Sequence, residues 1–185
     1  MVHRAAVKSS PWHILVGGFR AESLDVEALI KGVGEAASPH IAQLLDADRV
    51  AGWEHLYLSA ANAVRAFQSG YNVARNLAVE LLLYASCRDQ IAEAIELVGL
   101  TPQTERIALV LLTEDEEEGL EAYERASRLL GEGDDEVLEV DEGKLRRLME
   151  LHSISEEELE AVGRPRARAL TLLLVERGAL IPALR

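Results

Sequence analysis

The sequence predicts an α+β fold: one domain over residues 1–185, with a small, mostly antiparallel sheet of about four strands packed by about seven helices. Three observations predict it. The chain is 185 residues long, within the range of a single domain, and its 49% hydrophobic content is enough for a buried core. Two short apolar runs rich in β-formers, "WHILVGGFR" (12–20) and "RIALVLLT" (106–113), stand among longer stretches with helical spacing. No repeat and no linker composition divides the chain.

Taken in order, Trp12 to Arg20 reads as a buried strand ended by Gly17 and Gly18. "LDVEALIKGVGEAA" places Leu24, Leu29 and Ile30 at helical steps, with Ser23 or Asp25 as N-cap. "SPHIAQLLDADRVAG" reads as a short helix closed by Gly52, and Trp53 to Ala60 as a strand with Leu56 and Leu58 on one face. Two helices follow, separated by Gly70 in a left-handed turn, with Asn72 capping the second. Val64, Phe67 and Tyr71 form the apolar stripe of the first helix, and Val73, Leu77, Leu81 and Tyr84 that of the second. Arg106 to Thr113 reads as a strand buried on both faces, and Thr113 as the cap of an acidic helix whose first-turn carboxylates oppose the helix dipole. "EVLEVD" alternates like an edge strand. The remainder is helical, with Ser155 and Glu158 at capping-box spacing.

The formal net charge of −13 is local in origin. Residues 114–142 carry fourteen Asp and Glu against two Arg, a net of −12, which leaves −1 for all the rest. Residues 61–88 sum to +2, so most of the molecule can approach a phosphate backbone. No run reaches the roughly 18 apolar residues of a membrane helix, and the start of the chain lacks the pattern of a signal peptide, so a cytoplasmic protein without membrane contact is expected.

Catalytic signals are absent. The five histidines are scattered, "VGGF" lacks the spacing of a dinucleotide loop, and there is no phosphate-binding lysine loop or nucleophile elbow. No metal, cofactor or small-molecule substrate is expected. The single cysteine, Cys87, reads as a packed thiol, and the run Glu114 to Glu118 as a solvated helix start, although an enzyme using those carboxylates is a reading the residues leave open. Asn62, Arg65, Asn72, Arg75, Arg88 and Gln90 lie beside the apolar stripes, where guanidinium and amide groups suit the phosphates and unpaired bases of an RNA. A solvated polar face is the plainer alternative. Aromatic residues, at 4%, look too few for a stacking platform.

The stretch "SAANAVRAFQSGYNVARNLAVELLLYASCRDQIAEAIELVGL" (59–100) resembles the hallmark segment of the kinase-binding subunit of the KEOPS complex, the TPRKB family. Ser59, Ala60, Phe67, Gly70, Asn72, Glu80, Tyr84, Gln90, Ile91 and Gly99 are among the residues that carry the resemblance. Cys87 stands where the family usually has Gly, and Asp89 where it has Arg, with Arg88 one place earlier. The resemblance implies a non-catalytic subunit that binds and supports the KEOPS kinase/ATPase and holds the 3′ CCA end of tRNA during threonylcarbamoyl-adenosine formation. A protein-interaction module without RNA contact is the alternative. The kinase is expected on a C-terminal helical face with Leu173, Val175 and Leu180, because Leu172, Leu173 and Leu174 are too many consecutive leucines for one buried face.

Overall fold

The computed structural model describes residues 2–22, 24–163 and 165–184, so Ser23, one of the two caps expected for the first helix, lies outside the described residues. Four strands, β1 (His3–Ala6), β2 (His13–Arg20), β3 (Ile41–Asp46) and β4 (Arg106–Thr113), form one antiparallel sheet in the order β1-β2-β4-β3. Eight α-helices are present among the described residues: α1 (Val26–Ala37), α2 (Gly52–Ser69), α3 (Leu77–Ser86), α4 (Ile91–Val98), α5 (Glu116–Ser127), α6 (Glu142–His152), α7 (Glu156–Val162) and α8 (Arg166–Ala179). The architecture is the α+β domain that composition and periodicity predict.

The central strand β4 is buried on both faces, as its continuous apolar run requires. Ala108, Val110 and Leu112 face α2 and α3 across one core, while Ile107, Leu109 and Leu111 face α1 and α5 across another. A third cluster joins α6, α7 and α8 through Leu148, Leu159, Leu170 and Leu174. Gly17 and Gly18 do not end β2, which continues to Arg20. They let neighbours seat on the strand. A Cβ on Gly17 would lie 1.8 Å from the Tyr123 hydroxyl, and one on Gly18 2.4 Å from Val137 Cγ2.

Several expectations are corrected. The helix expected from "SPHIAQLLDADRVAG" is strand β3 and a short 3₁₀ turn, because Ile41 to Asp46 pair along the edge of β4 opposite β2. The strand expected at Trp53 to Ala60 is the first half of α2: Leu56, Ala60 and Val64 are buried four residues apart, a helical period visible only when both halves are read together. "EVLEVD" is a 3₁₀ turn that buries Val137 and Leu138, fastened by Asp134 to the Glu136 N–H and to Arg20. Strand β1, at the edge, has no expected counterpart. Asp25 caps α1, and Asp115, not Thr113, caps α5, accepting from the Glu117 and Glu118 N–H groups. The Ser155–Glu158 capping box is present.

His55 on α2 and His152 on α6 are buried, and His55 Nδ1 accepts the Ala51 N–H at 3.1 Å. Burial pushes His55 down to about 3 and His152 down to about 4. Both folded values lie below the ordinary histidine value of about 6.5, so the unfolded chain takes up these protons first. Stability from the two sites is therefore complete above pH ~6.5 and is lost as pH falls from there towards 4. Urea unfolding at pH 7, 6 and 5 should show it as a loss of up to about 1.4 kcal/mol per histidine per pH unit, and His152→Leu should remove about half of that slope.

Candidate functional site at the junction of α2 and α3

Gly70, at φ +72°, ends α2 in a left-handed turn whose N–H reaches the carbonyls of Ala66 and Phe67. The chain then crosses to α3 through residues 71–76, and that crossing is held from within. Glu80 is 1% exposed, and its Oε2 accepts the N–H groups of Val73 at 2.9 Å and Ala74 at 2.7 Å. A buried carboxylate thus replaces water for two backbone donors. Asn76, not Asn72, caps α3, accepting the Ala78 N–H at 2.7 Å, and Asn72 instead donates to the Ala74 carbonyl at 3.0 Å. Arg75 therefore sits in the loop, ahead of the helix on which periodicity would place it. Tyr71, expected in the core, is 48% exposed.

The six polar residues singled out in the sequence fall into two groups. Asn62, Arg65, Asn72 and Arg75 belong to the α2–α3 junction, and Arg65 donates to Asn62 Oδ1 at 3.4 Å. Neither Arg65 nor Arg75 meets a carboxylate among the described residues, and both are exposed. Arg88 and Gln90 lie at the other end of the ten-residue α3, about 15 Å away at 1.5 Å per residue. There Arg88 is drawn inward: it donates to the Cys87 carbonyl at 3.2 Å and approaches Glu93 at 3.9 Å. Gln90 is the N-cap residue of α4. Cys87 itself adopts φ +55°, the left-handed conformation a glycine takes most readily, and its thiol donates to the Leu174 carbonyl at 3.1 Å. Burial pushes that thiol up to about 11, which makes it a packing group.

Sequence reasoning missed two residues here. The sheet register sets His13 against Thr113 and Ile41 against Leu112, so Trp12 and His40, each one residue before its strand, flank the end of β4. Together with Ile41, Phe67, Gln68 and Arg75 they line an open groove of about 540 Å³, within the range of small-ligand sites. Low aromatic content did not exclude an aromatic-lined site, because the packing of α2 on β2 gathers Trp12 and Phe67, 55 residues apart in sequence. No local pattern announces this. The start of the acidic helix also reaches this region. The body of α5 packs against α1 on the far side of the sheet, but Glu114, Asp115 and Glu118 line a second groove that shares Trp12, His40 and Ile41 with the first.

At the C-terminal face the consecutive leucines diverge. Leu174 is buried and Leu172 is 41% exposed, whereas Leu173 and Val175 are half-buried; Leu180, just past α8, is 51% exposed. A Cβ on Gly178 would stand 2.6 Å from the Tyr84 carbonyl, so α8 lies directly on the backbone of α3.

The family described as "Kinase binding protein CGI-121" matches residues 25–162, three quarters of the chain and the whole span from α1 to α7. The chain belongs to that family. A curated protein of Methanocaldococcus jannaschii, "Regulatory protein Cgi121", is 34% identical over 112 residues, 60% of this chain and 70% of that protein. A kinase-binding, regulatory subunit is the role this membership carries. Leu173, Val175 and Leu180 lie beyond the matched span, whereas the α2–α3 junction lies well inside it. Among the described residues no helix is long and apolar enough to cross a membrane.

Glu80 gives this family member a direct test of how its junction is held. Glu80→Gln keeps an oxygen for the two N–H groups and should stay within about 1 kcal/mol of the parent in urea unfolding. Glu80→Leu strands both donors and should lower stability by about 2–6 kcal/mol, from about 1–3 for each unpaired buried group.

Proposed function

We propose that this chain is a non-catalytic subunit of a KEOPS-type complex, which binds and supports the kinase/ATPase subunit and holds the 3′ CCA end of tRNA during threonylcarbamoyl-adenosine formation. Such a protein works in the cytoplasm. Family membership over residues 25–162 carries the kinase half of the reading. The RNA half is supported by the placement of Arg65 and Arg75, two exposed guanidiniums without a carboxylate partner among the described residues, beside Asn62 and Asn72 on the junction held by Glu80. A guanidinium pairs with phosphate and stacks on an unpaired base, and an amide bonds a base edge. Arg88 and Gln90, at the far end of α3, would meet a different stretch of the same RNA or a partner protein.

For the kinase, exposure singles out Leu172 and Leu180 from the C-terminal apolar residues; Leu173 and Val175 contribute their half-exposed sides. Leu172→Asp/Leu180→Asp should weaken kinase binding at least tenfold in a calorimetric titration while the melting temperature stays near the parent value. Unchanged affinity would move the interface off α8. Arg65→Glu/Arg75→Glu should cut tRNA binding and tRNA modification by the assembled complex and leave kinase affinity unaltered. Since two phosphate contacts release few counterions, the parent chain alone should bind tRNA with a salt slope of only about −1.4, at roughly −0.7 per single-strand contact. Equal tRNA binding by parent and double variant would favour the interaction-module alternative.

A further inference from the structure

The face of the sheet away from the α2–α3 junction carries a feature that neither the kinase nor the RNA reading uses. Helix α1 is anchored at its C-terminal end: Val33 and Ala37 are its buried residues, and Arg125 of α5 donates from Nε to the Ala36 carbonyl at 3.0 Å. Its first half is held less closely. Leu24 and Leu29 touch the same core but keep part of their surface exposed. Between this half of α1 and the residues that follow α5 runs an open groove of about 720 Å³, with Leu24, Ala28, Leu29 and Gly32 on one side and Leu129 and Leu130 on the other. Leu130 is buried, whereas Leu129 is 49% exposed. A Cβ on Gly32 would stand 3.5 Å from Leu129 Cδ1, an ordinary contact, so the two walls approach each other there. Fold stability does not require an apolar side chain as open as Leu129.

The rim of the groove is acidic. Residues 20–35 and 128–136, which supply both walls, carry eight carboxylates against three basic residues, a net of −5. Arg20 is paired with Asp134, whereas Glu22 and Glu132, one on each segment, are exposed and meet no basic side chain among the described residues. An apolar floor between carboxylates repels nucleic acid and fits apolar side chains flanked by cations. On α1, Asp25, Ala28, Leu29 and Gly32 follow at three- and four-residue steps and share one face. Ala28 and Gly32 are small, so a second helix axis can come close to this face, and the 12 residues of α1 offer it about 18 Å of length. We infer that this groove docks a basic amphipathic helix of a protein other than the kinase, with leucine-like side chains seated between α1 and Leu129 and Lys or Arg beside Glu22 and Glu132. Its position keeps it clear of the other two surfaces. α1 and α5 lie across the sheet from α2 and α3, against which α8 packs, so all three surfaces can be occupied at once.

The probe is a capped peptide of about fourteen residues, with leucines at i, i+3, i+4 and i+7 and lysines elsewhere. Its controls are the same peptide with glutamate for lysine, and a peptide of the same composition with the leucines out of helical phase. Binding to the full chain is read by fluorescence anisotropy, and its location by hydrogen exchange. The parent should bind the probe at least tenfold more tightly than either control, with exchange slowed in residues 24–32 and 128–132. Ala28→Arg, which places a bulky cation in the groove from an exposed position, and Glu22→Lys/Glu132→Lys should each weaken the probe at least tenfold, with kinase affinity and melting temperature close to the parent. Glu117→Lys/Glu121→Lys makes the same change of charge at exposed positions of α5 that do not line the groove, and should alter binding less than about twofold. An equal loss in that control variant, equal binding of the out-of-phase or glutamate peptide, or slowed exchange confined to another surface overturns the assignment. Loss of kinase affinity in Ala28→Arg would make the kinase itself the occupant and overturn the inference of a further partner.

Discussion

Burial of β4 on both faces is the constraint on which the remainder of the molecule depends. Each of its residues from Ile107 to Leu112 is fully buried, so the strand needs an antiparallel partner on either side and an apolar layer above and below. The partners are β2 and β3, and the layers are α2 with α3 on one face and α1 with α5 on the other. Because all its backbone groups are paired within the sheet, the strand has no freedom to slip: a one-residue shift would exchange the two cores. That same register brings Trp12 and His40 to the two sides of Thr113. The groove is a consequence of packing, not an addition to it.

The α2–α3 junction solves a different problem. Its backbone must leave one helix, cross over and enter the next while still covering the core, and Ala74 is buried on the way. Buried N–H groups without water need an internal acceptor. Glu80, one turn into α3, provides it for two consecutive residues, and Gln43 on β3 donates to the Ala78 carbonyl at 2.9 Å, fastening the start of α3 to the edge of the sheet. Arg75 projects from a loop whose neighbours on both sides are fixed. A guanidinium on such a base loses less freedom on binding a ligand than one on an unrestrained loop, which matters when few contacts are made.

Legibility in the sequence follows the range of the interaction. Local signals were readable: the double-faced strand 106–113, the left-handed stop at Gly70, the capping box at Ser155, and the acidic first turn of α5 with its cap displaced from Thr113 to Asp115. Where a segment was read in pieces, its period was lost, as at Trp53 to Ala60, whose helical pattern continues into Val64. β3 was mistaken for a helix because six residues are too few to distinguish the two periods, and only pairing with β4 decides. The site was half legible. Arg65 and Arg75 stood out as charges beside apolar stripes, while Trp12, His40 and the buried bonds of Glu80 depend on contacts between distant residues. Arg88 and Gln90 were grouped with the arginines by sequence proximity, and the length of α3 separates them.

Charge distribution argues for a division of labour between surfaces. The segment 114–142 carries a net −12, of which the body of α5 holds little, Glu121 and Glu124 standing against Arg125; five carboxylates gather at its start, Glu114 to Glu118, and seven lie between Glu132 and Glu142. The first turn of α5 alone borders the groove, where Arg4 approaches Glu116 at 3.3 Å and offsets part of the local charge. An RNA reaching the α2–α3 junction would therefore meet exposed arginines on one side and the carboxylates at the start of α5 on the other, so the net attraction is weak. Weak attraction by two arginines suffices only if a second contact holds the RNA nearby, since tethering turns the encounter into an intramolecular one at an effective concentration near the millimolar range.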